Sequence, residues 1–158
     1  MSLSEKNNEI IIKPMDVSCI PELVGIEKAC FSKPWTYDGF LAELKNDTAK
    51  FYTAVCEDKT VGYMGIYIVC GEGYVANVAV LPEYRRRGIA GGLIRNAINI
   101  CKENNADFLS LEVRVSNNAA ISLYEKYGFR KVGERKNFYS SPTENAYIMT
   151  LDLTEDNR

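Results

Sequence analysis

Val78-Ala79-Val80-Leu81-Pro82-Glu83-Tyr84-Arg85-Arg86-Arg87-Gly88-Ile89-Ala90-Gly91-Gly92-Leu93 carries the strongest local signal in this chain. A branched apolar run stops at Leu81-Pro82 and a basic turn follows. Ile89, Leu93, Ala97 and Ile100 then recur three or four apart, which predicts a helix to about Asn104. A strand, a short turn and a helix start bring unsatisfied N–H groups and the positive helix end to the place where three arginines gather. Gly88 permits a positive φ or a close backbone approach, and Gly91 and Gly92 keep the next turn free of bulk. The turn is suited to cradle an anion such as a pyrophosphate. Its bland alternative is a solvated basic helix start with packing glycines, and the residues alone leave both open. Neither GxxxxGK[ST] nor GxGxxG is present, which disfavours a nucleoside-triphosphate or nicotinamide site.

Working outward, Glu9–Lys13 reads as a first strand stopped by Pro14, and residues 18–29 as a short helix with Ile20, Leu23, Val24 and Ile26 on its apolar side. Thr36 is placed as the N-cap of a helix to about Leu44. Phe51–Cys56, Thr60–Val69 and Tyr74–Val80 are rich in branched and aromatic residues. Their spacers, Glu57-Asp58-Lys59 and Gly71-Glu72-Gly73, suit antiparallel hairpins. Phe108–Val115 is a further strand, Asn117 or Ser116 caps a helix through Tyr127, and Gly128 is its natural C′ residue. Two strands at 129–136 and 145–152 close the pattern around a turn with Ser140-Ser141-Pro142. The order β-α-α-β-β-β-α-β-α-β-β predicts an α+β domain, a mixed and largely antiparallel sheet with helices on both faces. Residues 1–158 read as one domain with its core at about 9–152 and polar ends.

Composition narrows the chemistry. The 158 residues carry 19 basic and 21 acidic side chains, a balance that argues against a general nucleic-acid coat. No run is apolar for long enough to span a membrane, and the N-terminus lacks the basic-then-apolar order of a secretory signal. The five cysteines form no CxxC pair and there is no histidine, so a zinc site is not expected and Ser-His-Asp, Cys-His and HExxH chemistry is excluded. A cytoplasmic protein with free thiols, no metal and no direct nucleic-acid or membrane partner is the expectation, with a monomer preferred. Proton transfer near neutral pH falls to carboxylate, tyrosine, lysine, cysteine, backbone or water.

Leu109-Ser110-Leu111-Glu112-Val113-Arg114-Val115 alternates, with the leucines and valines on one face and Ser110, Glu112 and Arg114 on the other. That polar face either lines a cleft or is simply exposed. In the helix that follows, Asn117 reads by default as an ordinary cap and Tyr124 as a core aromatic.

Together these stretches resemble the GCN5-related N-acetyltransferase superfamily, and within it the RimI-type ribosomal-protein alanine N-acetyltransferases. The superfamily likeness rests on Val78–Leu93 with Arg85, Gly88 and Ala90 in an RxxGxA element. The closer likeness rests on Leu111–Arg114, Ser116–Ile121 and Leu123–Glu125, with Cys30–Trp35 and Arg135–Tyr139 alongside. What the resemblance implies is a bacterial protein and acetyl transfer from acetyl-CoA to a protein's N-terminal amine, the alanine of a small-subunit ribosomal protein. It implies a thioester between splayed strands at 74–80 and 108–115, and pantetheine paired with backbone near Val78 and Val80. The pyrophosphate would meet N–H groups from Arg86 through Arg87, Gly88 and Ala90 to Gly91, and Asn117 would contact the coenzyme. By the same correspondence Glu112 matches the general base and Tyr124 the general acid.

The chemistry fits those roles. An α-amine has a reference pKa near 7.7–8.0 and is about a tenth neutral at pH 7, whereas a lysine amine near 10.4 is neutral at well under one part in a thousand. An N-terminal acceptor therefore asks modest help from a carboxylate base. No acetyl-enzyme is needed, so direct transfer without an essential cysteine is expected. Glu27, Glu43, Glu134 and Glu144 are the acids available to meet a basic acceptor. The alternatives are the same fold acting on lysine side chains or small-molecule amines, and a noncatalytic coenzyme-binding protein.

Overall fold

The computed structural model describes residues 9–154; the polar ends expected at 1–8 and 155–158 lie outside the described residues. Seven strands hydrogen-bond in the order β1-β2-β3-β4-β5-β7-β6. They are β1 (Ile10–Pro14), β2 (Ala49–Cys56), β3 (Lys59–Val69), β4 (Glu72–Val80), β5 (Phe108–Arg114), β6 (Arg130–Tyr139) and β7 (Glu144–Asp152). The helices are α1 (Ile20–Cys30), α2 (Tyr37–Leu44), α3 (Ile89–Glu103) and α4 (Asn118–Lys126). The expected class is the class found, an α+β mixed sheet with β4–β5 as its parallel pair.

The two hairpin turns are tighter than the sequence suggested. Glu57-Asp58 (φ 54° and 63°) and Cys70-Gly71 (φ 51° and 80°) are two-residue turns with both residues left-handed. That backbone matches the twist of the flanking strands, so Lys59, Glu72 and Gly73 join the strands instead of spacing them.

The chain forms two compact units. The first comprises the chain up to Ile66 together with Asn77–Ala97. Here β1 pairs antiparallel with β2 from Ile10↔Cys56 to Pro14↔Tyr52. Thr36 caps α2 as expected, its hydroxyl accepting from the Gly39 N–H at 3.2 Å. An aromatic core holds the unit, with the Tyr63 ring edge-on to Phe40 at 5.4 Å and stacked on Phe51 at 6.3 Å. Ile20, Leu23 and Ile26 of α1 are fully buried, and so is Glu27. It accepts from the Trp35 N–H at 2.8 Å, the Tyr63 hydroxyl at 2.5 Å and Asn77 Nδ2 at 3.3 Å. A buried carboxylate survives by filling its lone pairs, and these three donors do so.

The second unit comprises Tyr67–Ala76 and the chain from Ile98 onward. β5 pairs antiparallel with β7 along its whole length, and β7 with β6. The parallel β4–β5 ladder is three residues long, Glu72–Tyr74 with Phe108–Ser110. Leu109, Leu111 and Val113 are buried and their neighbours Ser110, Glu112 and Arg114 half-buried, the alternation anticipated from sequence. Asn117 caps α4, its side chain accepting from the Ala120 N–H at 3.2 Å. At the other end Gly128 has φ +97°. The Phe129 N–H reaches the Tyr124 carbonyl and the Gly128 N–H the Glu125 carbonyl, both at 3.0 Å. That closing pattern satisfies two free carbonyls and requires a left-handed residue at Gly128.

Candidate active site

In the first unit, the turn after β4 carries the basic glycine-bearing stretch. A single 3-10 turn at Pro82–Tyr84 leads to Arg86 at φ +64° and Gly88 at φ +80°. The first helical bond of α3 runs from the Gly92 N–H to the Gly88 carbonyl at 3.0 Å, so the N–H groups of Ile89, Ala90 and Gly91 precede it without an intrahelical acceptor. Arg85, Arg86, Arg87 and Gly88 are exposed around them. The donors and the charge fit a diphosphate.

The three arginines are not equivalent. Arg85 turns inward, with Nε donating to the Val80 carbonyl at 3.2 Å and Nη2 3.7 Å from Cys30 Sγ. Cys30 donates to the same carbonyl at 3.5 Å. The Val80 carbonyl thus helps to close the turn. Arg87 lies over the Tyr84 ring at 4.8 Å. Burial pushes the Cys30 thiol up, outweighing the neighbouring Arg85, so it is a poor source of thiolate at neutral pH. Val78 is half-buried and Gly91 buried.

In the second unit, the polar face of β5 carries Glu112. Glu112 Oε1 meets Arg135 Nε of β6 at 3.2 Å, and Oε2 accepts from the Tyr74 hydroxyl of β4. The Glu112 side chain is only 9% exposed while that of Arg135 is 56% exposed. Burial and the bond to Glu112 push the Tyr74 hydroxyl well above its ordinary pKa, so it stays a donor. Tyr139, at the end of β6, is pushed up to about 12 by burial and by the Glu112 charge. Arg114 lies over its ring at 4.4 Å, pairs with Glu144 at 3.2 Å, and donates to the Pro142 carbonyl at 3.0 Å.

Tyr124 of α4 is 6% exposed and packs on Phe129 at 5.7 Å. Burial, then Tyr139, push its hydroxyl up to about 12. Among the described residues no hydrogen bond joins that hydroxyl to Glu112. Held protonated, the hydroxyl has the form a proton donor needs.

The sequence marked Glu112, Tyr124 and Asn117 but passed over Tyr74, Arg135 and Tyr139 as site residues. Ten tyrosines make composition uninformative, and only the strand register brings Tyr74 beside Glu112. Of the four acids expected to meet a basic acceptor, Glu27 is withdrawn, because it is buried and serves Trp35 and Tyr63. Glu144 is engaged by Arg114 and by the Ser116 N–H at 2.8 Å, and Glu134 accepts from Asn145 at 2.8 Å. Glu43 has one oxygen enclosed.

Comparison with known proteins agrees with this geometry. The acetyltransferase (GNAT) family profile matches residues 20–129. A Bacillus subtilis (strain 168) protein, to which alanine N-acetylation of ribosomal protein bS18 is ascribed, is 39% identical over 145 residues, 91% of this chain and 96% of that one. An N-alpha-acetyltransferase of Saccharolobus solfataricus is 33% identical over 168 residues, covering 97% and 100%. The crystal structure of the ribosomal-protein-S18-alanine N-acetyltransferase from Escherichia coli superposes with a TM-score of 0.83 at 29% identity, covering 91% and 94%. The chain therefore belongs to the GNAT acetyltransferase family and is an acetyl-CoA-dependent N-acetyltransferase.

Proposed function

We propose that this protein acetylates the N-terminal alanine of a small-subunit ribosomal protein in the bacterial cytoplasm, with Glu112 as general base and Tyr124 as general acid. The observation that carries the reading is the nearly enclosed Glu112 carboxylate, fixed from both sides by Tyr74 and Arg135. The names of the Bacillus and Escherichia relatives support the acceptor.

Acetyl-CoA supplies the activated acyl group. The N–H groups of Ile89, Ala90 and Gly91, with Arg86 and Arg87 beside them, hold its diphosphate. Gly88 keeps the approach open, Val78 offers backbone to the pantetheine, and Arg85 braces the turn through Val80. Asn117 keeps its side-chain N–H₂ for the coenzyme while its oxygen caps α4. Glu112 accepts the proton that the α-amine loses as its nitrogen bonds to the acetyl carbonyl carbon, directly or through one water. Tyr124 donates its proton to the departing sulfur as the carbon–sulfur bond breaks. Each carboxylate oxygen of Glu112 keeps a second lone pair after its bond to Tyr74 or Arg135, so the proton has a place to go.

Glu112→Gln keeps the shape and removes the base. Turnover of an alanyl peptide is expected to fall about 100-fold, the low end of the usual worth of a general base, because part of the α-amine is already neutral. Acetyl-CoA affinity, measured by calorimetry on the same preparation, should stay within about twofold if the coenzyme contacts are made elsewhere. Parent-like turnover would remove Glu112 from the mechanism.

A further inference from the structure

We propose that Arg135 is a positioning residue for Glu112, delivered to that carboxylate by a β-bulge at Val132. The inference rests on the reading of Glu112 as the base. β6 and β7 pair as Lys131↔Met149 and then as Gly133↔Ile148, so Val132 is an extra residue with no partner of its own. Beyond it the register continues as Glu134↔Tyr147 and Arg135↔Ala146. On the other side of β7, Glu112 pairs with Ile148 and Arg114 with Ala146. Directly paired residues share a face, so Arg135 lies on the face of Glu112 and Glu134 on the opposite one.

Without the bulge the alternation reverses. Continuing the Lys131↔Met149 register would pair Val132 with Ile148 and Glu134 with Ala146, placing an anion where Arg135 now stands. One inserted residue thus selects a cation over an anion as the neighbour of Glu112. Re-aiming a side chain in this way is a recurrent use of bulges.

The geometry explains why the choice matters. Arg135 pairs with Ala146 and Glu112 with Ile148 two residues along β7, and the two side chains meet across that strand at Nε–Oε1 3.2 Å. Exposed ion pairs are worth little, but this pair is one-sided, since the carboxylate end is nearly enclosed. Other charged and titratable groups near Glu112 are already committed. Tyr74 donates to Oε2, Arg114 is bound to Glu144 and the Ser140–Pro142 turn, and Tyr139 lies under Arg114. Arg135 is the cation that holds the second oxygen and keeps the carboxylate from turning about its own axis.

The test is a double-mutant cycle on full-length protein, using an alanyl peptide and acetyl-CoA. Arg135→Gln should lower kcat about tenfold, the worth of one charge-assisted hydrogen bond, while the KM for acetyl-CoA stays within about twofold. Arg135→Lys should recover most of the loss. The exchange E134R/R135E, which leaves composition intact and puts an anion toward Glu112, should lose at least as much as Arg135→Gln. In a Glu112→Gln background, Arg135→Gln should cost less than about twofold, since its target is gone. An equal loss in both backgrounds, or parent-like kcat for Arg135→Gln beside a disabled Glu112→Gln, overturns the proposal. Parent-like Glu112→Gln would instead overturn the base assignment beneath it.

Discussion

Glu27 is a carboxylate in an apolar core, and removing it has a calculable cost. Glu27→Ala deletes the acceptor of the Trp35 N–H and the Tyr63 hydroxyl, while Asn77 Nδ2 keeps its bond to the Tyr63 oxygen. A buried donor left unpaired costs about 1–3 kcal/mol, so two cost about 4 kcal/mol together. For a chain of this size each kcal/mol moves the melting midpoint by about 2–4 °C, which gives a fall of roughly 8–16 °C. Glu27→Gln retains one oxygen for one donor and turns an N–H₂ toward the other, so about half that loss is expected. Thermal unfolding followed by circular dichroism, with urea titration for the free energies, measures both. A Glu27→Ala midpoint within about 2 °C of the parent would refute the argument that this network anchors the Trp35 segment to the core.

Two further outcomes follow from the second unit. With Tyr124 held up to about 12, its proton is present throughout the ordinary pH range. The rate with an alanyl peptide should therefore rise from pH 6 to about 9 as the amine deprotonates, with no fall from Tyr124 up to about pH 10. Tyr124→Phe should be slow at every pH, and a base-side fall in the parent with a midpoint near 8–9 would contradict the assignment. Gly128→Ala forces a side chain onto a residue at φ +97°, with its Cβ 3.1 Å from Leu151 Cδ1, and should cost about 1–2 kcal/mol in urea titration.

The elements most legible in the sequence were those with local chemistry. Thr36 and Asn117 cap their helices through their own side chains, and Gly128 ends α4 because no other common residue takes its backbone angles so readily. The hairpin turns were misjudged by a residue or two because Glu57, Asp58 and Cys70 adopt left-handed angles usually given to glycine or asparagine. Glu27 lies four residues after Leu23 and seven after Ile20, so helical periodicity does place it on the apolar side; its charge argued otherwise. Tyr74 and Arg135 reach Glu112 through strand register, and the register of β6 depends on an unpaired Val132. The mark the bulge leaves in the sequence is Gly133 beside Val132, since a glycine inside a strand often accompanies such an irregularity.

The acceptor is the centre of the account, and matched peptides test it most directly. One basic peptide carries a free N-terminal alanine, a second a blocked N-terminus and an internal lysine, and a third has both amines blocked. Each is incubated with acetyl-CoA and the parent enzyme, and the acetyl group is located by mass. The account predicts acetylation of the first peptide at its α-amine and of neither other. Transfer to the lysine of the second peptide, at a rate comparable with the first, would contradict it.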